Sequence, residues 1–591
     1  MSLPVGATLK RLARALAVAG GILAGLLLLL WAWLAWYLLP NLGTYKPQLE
    51  QELSAALGHA VHIGSLTGSL QGPVLTLALH QVEIDNPNPG GYPLQLAELS
   101  ARPSWKSLIS WSPRFTRITL TAPELSLRRA RDGHLYLNGI VLDGSRSSDS
   151  QMLDWLLEQD EIRIEQARLR WRDEAMGLAE LDLTQGNLSL VQGLFGHRLT
   201  LTAHAPEGWL DAFRFQMTWR GDRLENWRTW RGKFALDVGG ANLADWRRTL
   251  AWLAHMPAGQ GGARVEASFA DGQFTSGQAR FDLKNVVLRP EAAGPLVAVP
   301  NLSGEVELKP GADGGSELLA RNLVAQTIDG KLFDRAEFRA RWREGAKAGG
   351  SLSLSRADLG ALRPLLRVLP LGENAAWRAL DPDGFVEEVT ADWQGSLAAP
   401  GRYAVKGRFS GLGWQPVKLL PGISGISGEL DFSERGGMLR LSDPDGATLT
   451  MPSVFARPIE VRKLDAAVRW TRQPKGVVDV ELEKVDLKNV DLEARVQGRY
   501  RWAPDESAAG LIDLTASIPK VAATAVPAYL PLVVGDDTRA WLAGALKAGQ
   551  AENAQLKLSG NLDRFPFTDG GGEFLVTAAT RNVSLEYDEG W

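Results

Sequence analysis

Phe213-Arg214-Phe215-Gln216-Met217-Thr218-Trp219-Arg220 alternates large apolar and polar side chains without a break. A period of two puts all the apolar groups on one side of a strand and all the polar groups on the other; a helix would scatter them. The same habit recurs on both sides of this stretch. Leu75, Leu77 and Leu79 come early, then Ile118 and Leu120, Leu125 and Leu127, Leu135 and Leu137, Ile162 and Ile164, and Leu169 and Trp171. Much later Val478, Val480 and Leu482 alternate with Asp479, Glu481 and Glu483. Asp132-Gly133, Asp271-Gly272, Gly436-Gly437 and Asp443-Pro444-Asp445-Gly446 punctuate the runs as turns. With 62 glycines and 21 tryptophans in 591 residues, this predicts a mainly β chain of many strands. At roughly 20–25 residues per strand and turn, about 22–28 strands are expected.

One stretch breaks the rule. Residues 15–39, from Ala15 through Leu26, Leu30, Trp31, Trp33 and Trp36 to Leu39, carry no charge. As a helix they are roughly 37 Å long, enough for a hydrocarbon layer about 30 Å thick. Lys10, Arg11 and Arg14 precede them and no basic cluster follows. The positive-inside bias therefore predicts a cytoplasmic N-terminus (1–14), a transmembrane helix (15–39) and a translocated remainder. The aromatic residues near the far end suit a membrane interface. A cleaved signal peptide would have an apolar core of about 7–15 residues and a small-residue cleavage site; here Trp-Tyr-Leu-Leu-Pro follows instead. Residues 40–58 read as a juxtamembrane amphipathic helix, with Leu49, Leu53, Ala56 and Leu57 on one face and Gly58 as its stop. Residues 59–591 form the β region.

Short helices are expected inside it: Ser150 to Glu158, one capped by Asn242 with Leu243, Trp246, Leu250 and Leu253 on one side, Asp358 to Leu369, one after Pro527, and one holding Trp541-Leu542 that stops at Gly549. Ser145 to Ser150 and Gly311 to Gly315 read as loops. Leu302-Ser303-Gly304-Glu305-Val306, Ile426-Ser427-Gly428-Glu429-Leu430 and Leu558-Ser559-Gly560-Asn561-Leu562 echo one another at uneven spacing. This suggests a repeated unit without a strict period.

Catalytic and metal signatures are missing. Cysteine is absent, and none of the seven histidines forms His-Glu-x-x-His. His59 and His62 are three apart but fall on a turn and a strand. Gly422-Ile423-Ser424-Gly425-Ile426-Ser427-Gly428 lacks nucleophile-elbow spacing and reads as a flexible approach to a hairpin. No phosphate loop exists, and a net charge of -4 gives no field to draw nucleic acid. The expectation is a non-enzyme with no catalytic residues, no cofactor and no metal. Function then rests on the continuous apolar surface that alternation creates. That surface is buried in a sandwich or lines a groove in an open sheet, and alternation alone does not choose.

The sequence resembles the YhdP family of AsmA-like envelope proteins. The likeness runs through the N-terminal anchor, Leu53 to Gly58, Val61-His62-Ile63-Gly64-Ser65, Trp105-Lys106-Ser107-Leu108 and Leu420-Pro421-Gly422-Ile423-Ser424-Gly425-Ile426-Ser427-Gly428. It is most specific at Tyr529-Leu530-Pro531, Trp541-Leu542, Gly549, Phe565-Pro566-Phe567, Gly572, Phe574, Tyr587 and Trp591. The resemblance implies a bridge-like lipid transporter: an inner-membrane helix followed by a long, curved, repetitive antiparallel β-sheet in the periplasm that forms a hydrophobic groove. Its implied partners are phospholipid acyl chains and the inner membrane, with the outer membrane or other envelope proteins beyond. Leu75, Leu77, Leu79, Phe213, Phe215, Met217, Trp219, Val478, Val480 and Leu482 are the candidates to line that groove. Family members are longer, so an N-terminal portion, incomplete at the C-terminal end, is expected. The competing expectation is an envelope scaffold or assembly factor that binds proteins, its apolar face packed internally; a surface adhesin is disfavoured by the uncleaved anchor.

Overall fold

In a computed structural model the chain is described except for residues 1–4, 58–59, 73, 86–93, 105, 108–113, 139, 142–153, 176–179, 206–207, 222, 247–254, 290–295, 312–313, 346–347, 367–379, 398, 418–419, 443–445, 504–508 and 589–591. Thirty strands are present among the described residues, and the fold is mainly β. The chain divides into two compact units, Met1–Ala254 with Gln260–Gly277, and His255–Gly259 with Gln278–Trp591.

The first unit opens with an α-helix, Val5–Trp33, of 29 residues. Its side chains at 5–13, 15, 23–24 and 27, including the expected anchor residue Ala15, lie outside the described residues. Among the described residues no helix is long and apolar enough to cross a membrane. Leu26, Trp31, Trp33 and Trp36 are exposed, and Leu30 and Leu39 are half-buried. The chain continues through a π turn (Leu34–Leu38) and a 3-10 segment (Leu39–Tyr45) into the amphipathic helix Lys46–Leu57.

This helical run lies along the first strand, Val61–Gln71, and closes a sheet edge. An edge strand presents unpaired N–H and C=O groups that invite other chains. Here Ser54 Oγ accepts the Val61 N–H (2.9 Å) and Glu50 Oε1 the Ile63 N–H (2.7 Å). Lys46 Nζ donates to Gly64 O (3.2 Å) and Trp31 Nε1 to Gly72 O (2.7 Å). Leu49 and Leu53 pack on Val61, Ile63, Leu79, Val82 and Leu96.

From that edge the strands follow in chain order, each antiparallel to the last, with one exception. Phe115–Thr121 and its continuation Glu124–Arg129 both pair in parallel with Glu161–Asp173. The expected antiparallel sheet is present, with these parallel pairings set into it. A parallel neighbour needs a long return connection, and the residues between Arg129 and Glu161 provide it; within them Leu135–Leu137 hairpins onto Glu124–Arg129.

In the second unit the antiparallel meander runs from Val297–Pro310 to Gly572–Leu585. Gly422–Ser433 is a central strand here, which corrects the reading of Gly422–Gly428 as a flexible approach. Its first half pairs with Ala447–Thr450 and its second with Gly436–Leu441, so these two act as one interrupted partner strand. Two helix boundaries differ from expectation. The helix holding Trp541 spans Asp536–Ala545, and Gly549 lies inside the next strand, Leu546–Asn561, at φ +105°. Pro527 sits within the 3-10 segment Ala523–Tyr529, and a second 3-10 turn, Leu532–Val534, follows it. The expected N-cap is present: Asn242 Oδ1 accepts the Ala244 N–H before Leu243–Trp246; Asp358, expected as the first helical residue, likewise accepts the Ala361 N–H through Oδ1 before Leu359–Leu366. Leu250, Leu253 and Leu369 lie outside the described residues, as do Gly58, His59, Trp105, Leu108 and Trp591.

Candidate apolar face

Cross-strand register decides what a sheet face is made of, because partners in register project to the same side. In the first unit one such line crosses ten strands: Leu66, Leu79, Leu99, Leu120, Ile164, Leu188, Leu201, Phe215, Leu236 and Val265. Every member is apolar. One pleat away runs a parallel line from Gly68 and Leu77 through Ile118, Leu199 and Met217 to Phe234 and Ala267. The residues between these lines face the other way and include Thr67, Ser100, Thr119, Arg163, Ser189, Thr200 and Gln216.

The second unit repeats the arrangement. Leu308, Leu318, Ala340, Leu352, Ala391, Val405, Phe432, Gly437, Trp470, Val480, Tyr500, Ile512, Gly560 and Gly572 form one unbroken line of apolar residues and glycines. On the opposite face the strands are tied by ion pairs such as Lys406–Asp431 (2.9 Å), Arg499–Glu481 (3.2 Å) and Lys557–Glu573 (2.6 Å). Such exposed pairs add little stability each. Their use is to hold register and keep this face wet. Where a pair is drawn inward the charge is reinforced. In the first unit burial pushes the Glu161 carboxyl up, but hydrogen bonds from Arg163 (2.5 Å) and Arg117 (2.7 Å) outweigh it and hold the group below its ordinary range.

Burial along each strand is uneven. All fourteen members of the second unit's line are only half-buried. Nearer the other end of the same strands the residues are sealed. Phe409, Ile426, Leu441, Ala447, Val461 and Ala466 form one core, Ala325, Leu332, Ala357 and Ala361 another, and Val286, Val297 and Val299 a third. These cores sit toward the rim that carries the helix Leu359–Leu366, although that rim also holds short turns such as Ile328-Asp329. The opposite strand ends are joined mainly by shorter turns, as at Glu434-Arg435 between Gly422–Ser433 and Gly436–Leu441.

Of the groove candidates, Leu77, Leu79, Phe215, Met217 and Val480 lie on these lines, and the others lie elsewhere along the same strands. Leu75, Leu77, Phe213, Phe215 and Met217 are half-buried on the first unit's apolar face, while Arg214, Gln216, Thr218 and Arg220 are exposed between them. Val478, Val480 and Leu482 are half-buried on the second unit's apolar face. Leu79 and Trp219 differ: Leu79 belongs to a sealed cluster, and Trp219, 6% exposed, is stacked between His197 and Trp230 at ring distances of 5.1 and 5.3 Å. The sequence reading missed most of the lines' members, including Leu188, Leu201, Leu236, Phe432 and Tyr500, because register is not written in any one strand.

A cavity of about 430 Å³ is lined by Trp470, Val480, Tyr500 and Ile512 together with Arg469, Asp479, Glu481, Arg499 and Arg501. Another, of about 1100 Å³, is lined by Trp342, Gly350 and Trp393 with Glu317, Arg341 and Asp392. Among the described residues no cluster of His, Asp or Glu has the arrangement of a metal site. His62 meets only Asp85 at 3.8 Å, both exposed.

A further polar cluster fixes the connection before Leu546. Tyr529 Oη donates to Asp491 Oδ2 (2.9 Å) and accepts from Asn489 Nδ2 (2.7 Å), while Asn489 Oδ1 accepts the Asp491 and Leu492 N–H groups. Burial and the bond to Asp491, opposed by the Asn489 bond, push the Tyr529 phenol up to about 12. The cluster is a clamp between two connections.

The family described as "YhdP protein" matches residues 1–591. The chain is 25% identical over 589 residues to a protein of Escherichia coli (strain K12) named "Intermembrane phospholipid transporter YhdP", covering 94% of this chain and 43% of that protein. It thus spans less than half the length of that relative. No solved structure matches. With the family's description extending over its whole length, the chain belongs to the YhdP protein family.

Proposed function

We propose that the apolar faces of both units hold phospholipid acyl chains, and that the chain carries phospholipids between inner and outer membranes of a bacterial envelope. The observation that carries this reading is the unbroken line of fourteen apolar or glycine positions, all half-buried. A sandwich core would bury such positions against a second sheet. Left to water, a face of this size is an aggregation hazard; covered by hydrocarbon, it gains about 0.8 kcal/mol for each methylene removed from water. The name of the relative supports lipid as the cargo.

The uncharged stretch 15–39 serves as an uncleaved inner-membrane anchor with residues 1–14 in the cytoplasm, and residues from 59 onward lie in the periplasm. The chain acts by binding and passage, with no bond made or broken.

The test places a photocrosslinking residue at Phe215 or at Arg214 in cells. Phospholipid adducts at Phe215 and few at Arg214 are expected. Equal yields, or protein adducts alone at Phe215, would favour a protein-binding scaffold. Mass spectrometry of lipid co-purified with the full chain gives an independent readout.

A further inference from the structure

The two ends of each strand in the second unit are unlike, and a phospholipid is unlike at its two ends. We propose, resting on the lipid reading above, that lipids lie across the strands in one orientation, with the glycerol and headgroup at the short-turn rim and the acyl tails toward the rim that carries the helical connections.

Two observations point the same way. First, the sealed cores of Phe409, Ile426 and Leu441, of Ala325 and Ala361, and of Val286 and Val297 all lie toward the helical connections. That side is a dry floor. Second, the short-turn rim carries Trp342, Trp393, Trp470 and Tyr500, all half-buried. Tryptophan and tyrosine pair a large apolar ring with one polar group, so they suit the level where hydrocarbon gives way to ester and phosphate. Among the described residues the indole N–H groups of Trp342, Trp393 and Trp470 have no protein hydrogen-bond partner. On the floor side, Trp414 Nε1 donates to Pro421 O at 2.9 Å. Rim indoles thus retain a donor for a ligand oxygen, and the floor indole has spent its own.

Glycines give the rings room. A side chain at Gly437 would lie 2.5 Å from the Trp470 ring, and one at Gly350 2.5 Å from the Trp393 ring. Each indole reaches over the backbone of the neighbouring strand.

The experiment loads the full chain with two phosphatidylethanolamine probes, one bearing a diazirine at the acyl terminus and one at the headgroup, and maps adducts by peptide mass spectrometry. Headgroup adducts are expected around Trp393, Trp470 and Tyr500, and tail adducts around Leu441, Val485 and Val496. The reverse distribution, or both probes labelling both rims equally, overturns the orientation while leaving lipid binding intact. No adduct from either probe overturns the lipid reading and the orientation with it. Trp470→Leu keeps apolar area and removes the donor; it should lower headgroup adducts at the rim severalfold and leave tail adducts unchanged, with Trp470→Tyr restoring them. A Trp470→Leu protein with unaltered headgroup labelling would remove the indole from the argument.

Discussion

Replacing Phe215 by aspartate should empty the apolar face locally, and replacing its neighbour Gln216 in the same way should not. Phe215 sits in register between Leu201 and Leu236 and stacks on Phe234 at 6.3 Å between ring centres. A phenylalanine offers about 150–250 Å² of surface. Half-buried by its neighbours, it leaves on the order of 50 Å² for an acyl chain, worth about 1.3 kcal/mol at about 25 cal/mol per Å². Loss of that contact lowers local occupancy close to tenfold. If the new carboxylate is held against hydrocarbon, a cost of about 2.5–3.5 kcal/mol is added, and the drop approaches a thousandfold. The assay is crosslinking of phospholipid to a photoreactive residue at Met217, one pleat away on the same face, in full-length protein. Phe215→Asp should cut the yield at least about tenfold; Gln216→Asp, on the wet face, should leave it unchanged. Phe215→Thr, which keeps strand propensity, checks that the sheet has not opened. Equal yields from Phe215→Asp and Gln216→Asp in folded protein would refute the assignment of faces.

Other expectations follow from the same geometry. Glu50→Ala frees the edge-strand N–H of Ile63, a charge-assisted bond worth about 1.5–3 kcal/mol, and hydrogen exchange at Ile63 should accelerate while distant strands stay protected. Gly437→Val drives a side chain into Phe432 and Trp470 and should cost about 1–3 kcal/mol, read as a lower urea midpoint. The Tyr529 phenol is pushed up to about 12 from an ordinary 10, so its stabilising effect is complete below about pH 10 and fades as pH rises toward 12. Tyr529→Phe should be less stable than the parent below pH 10 and lose that deficit above it, with phenolate absorbance reporting the titration.

Strand type and face were legible wherever alternation stayed in phase, as at Phe213 to Arg220 and Val478 to Glu483. They were illegible where a bulge switched the phase. Gln81, Gln166, Gln185 and Glu388 stand at positive φ of 53°, 56°, 50° and 48° inside strands. Leu75, Leu77 and Leu79 are odd-numbered before Gln81, and Val82 and Ile84 are even-numbered after it. Leu181 and Leu183 give way to Leu188 and Leu190 across Gln185, where the pairing with Glu161–Asp173 slips its register. One extra residue keeps the apolar side chains on one face while breaking the period that would reveal them, and it also bends the strand. Asn322 and Asn553 do the same, and only asparagine among these has a marked local preference for that conformation. The parallel pairing of Phe115–Thr121 with Glu161–Asp173 was equally hidden, because it depends on how a connection returns rather than on the strands' own residues.

The bulges also separate two tasks that one long strand would otherwise have to share. On one side of Gln185, Leu181 and Leu183 are buried against Trp171 and Trp209; on the other, Leu188 and Leu190 are half-buried in the open lines. The same division falls at Glu388, with Val386 packed into the core of Ala325 and Ala361 and Ala391 in the half-buried line of the second unit. Stability is concentrated at the sealed ends, where inserted helices and loops complete small cores. The half-buried ends contribute less to holding the chain together, and for that reason substitutions there can alter what the face binds without unfolding it. A sheet that spent its whole apolar face on its own core would be firmer and would have nothing left to hold a ligand. Here the cores take one end of the strands and leave the other end half-buried.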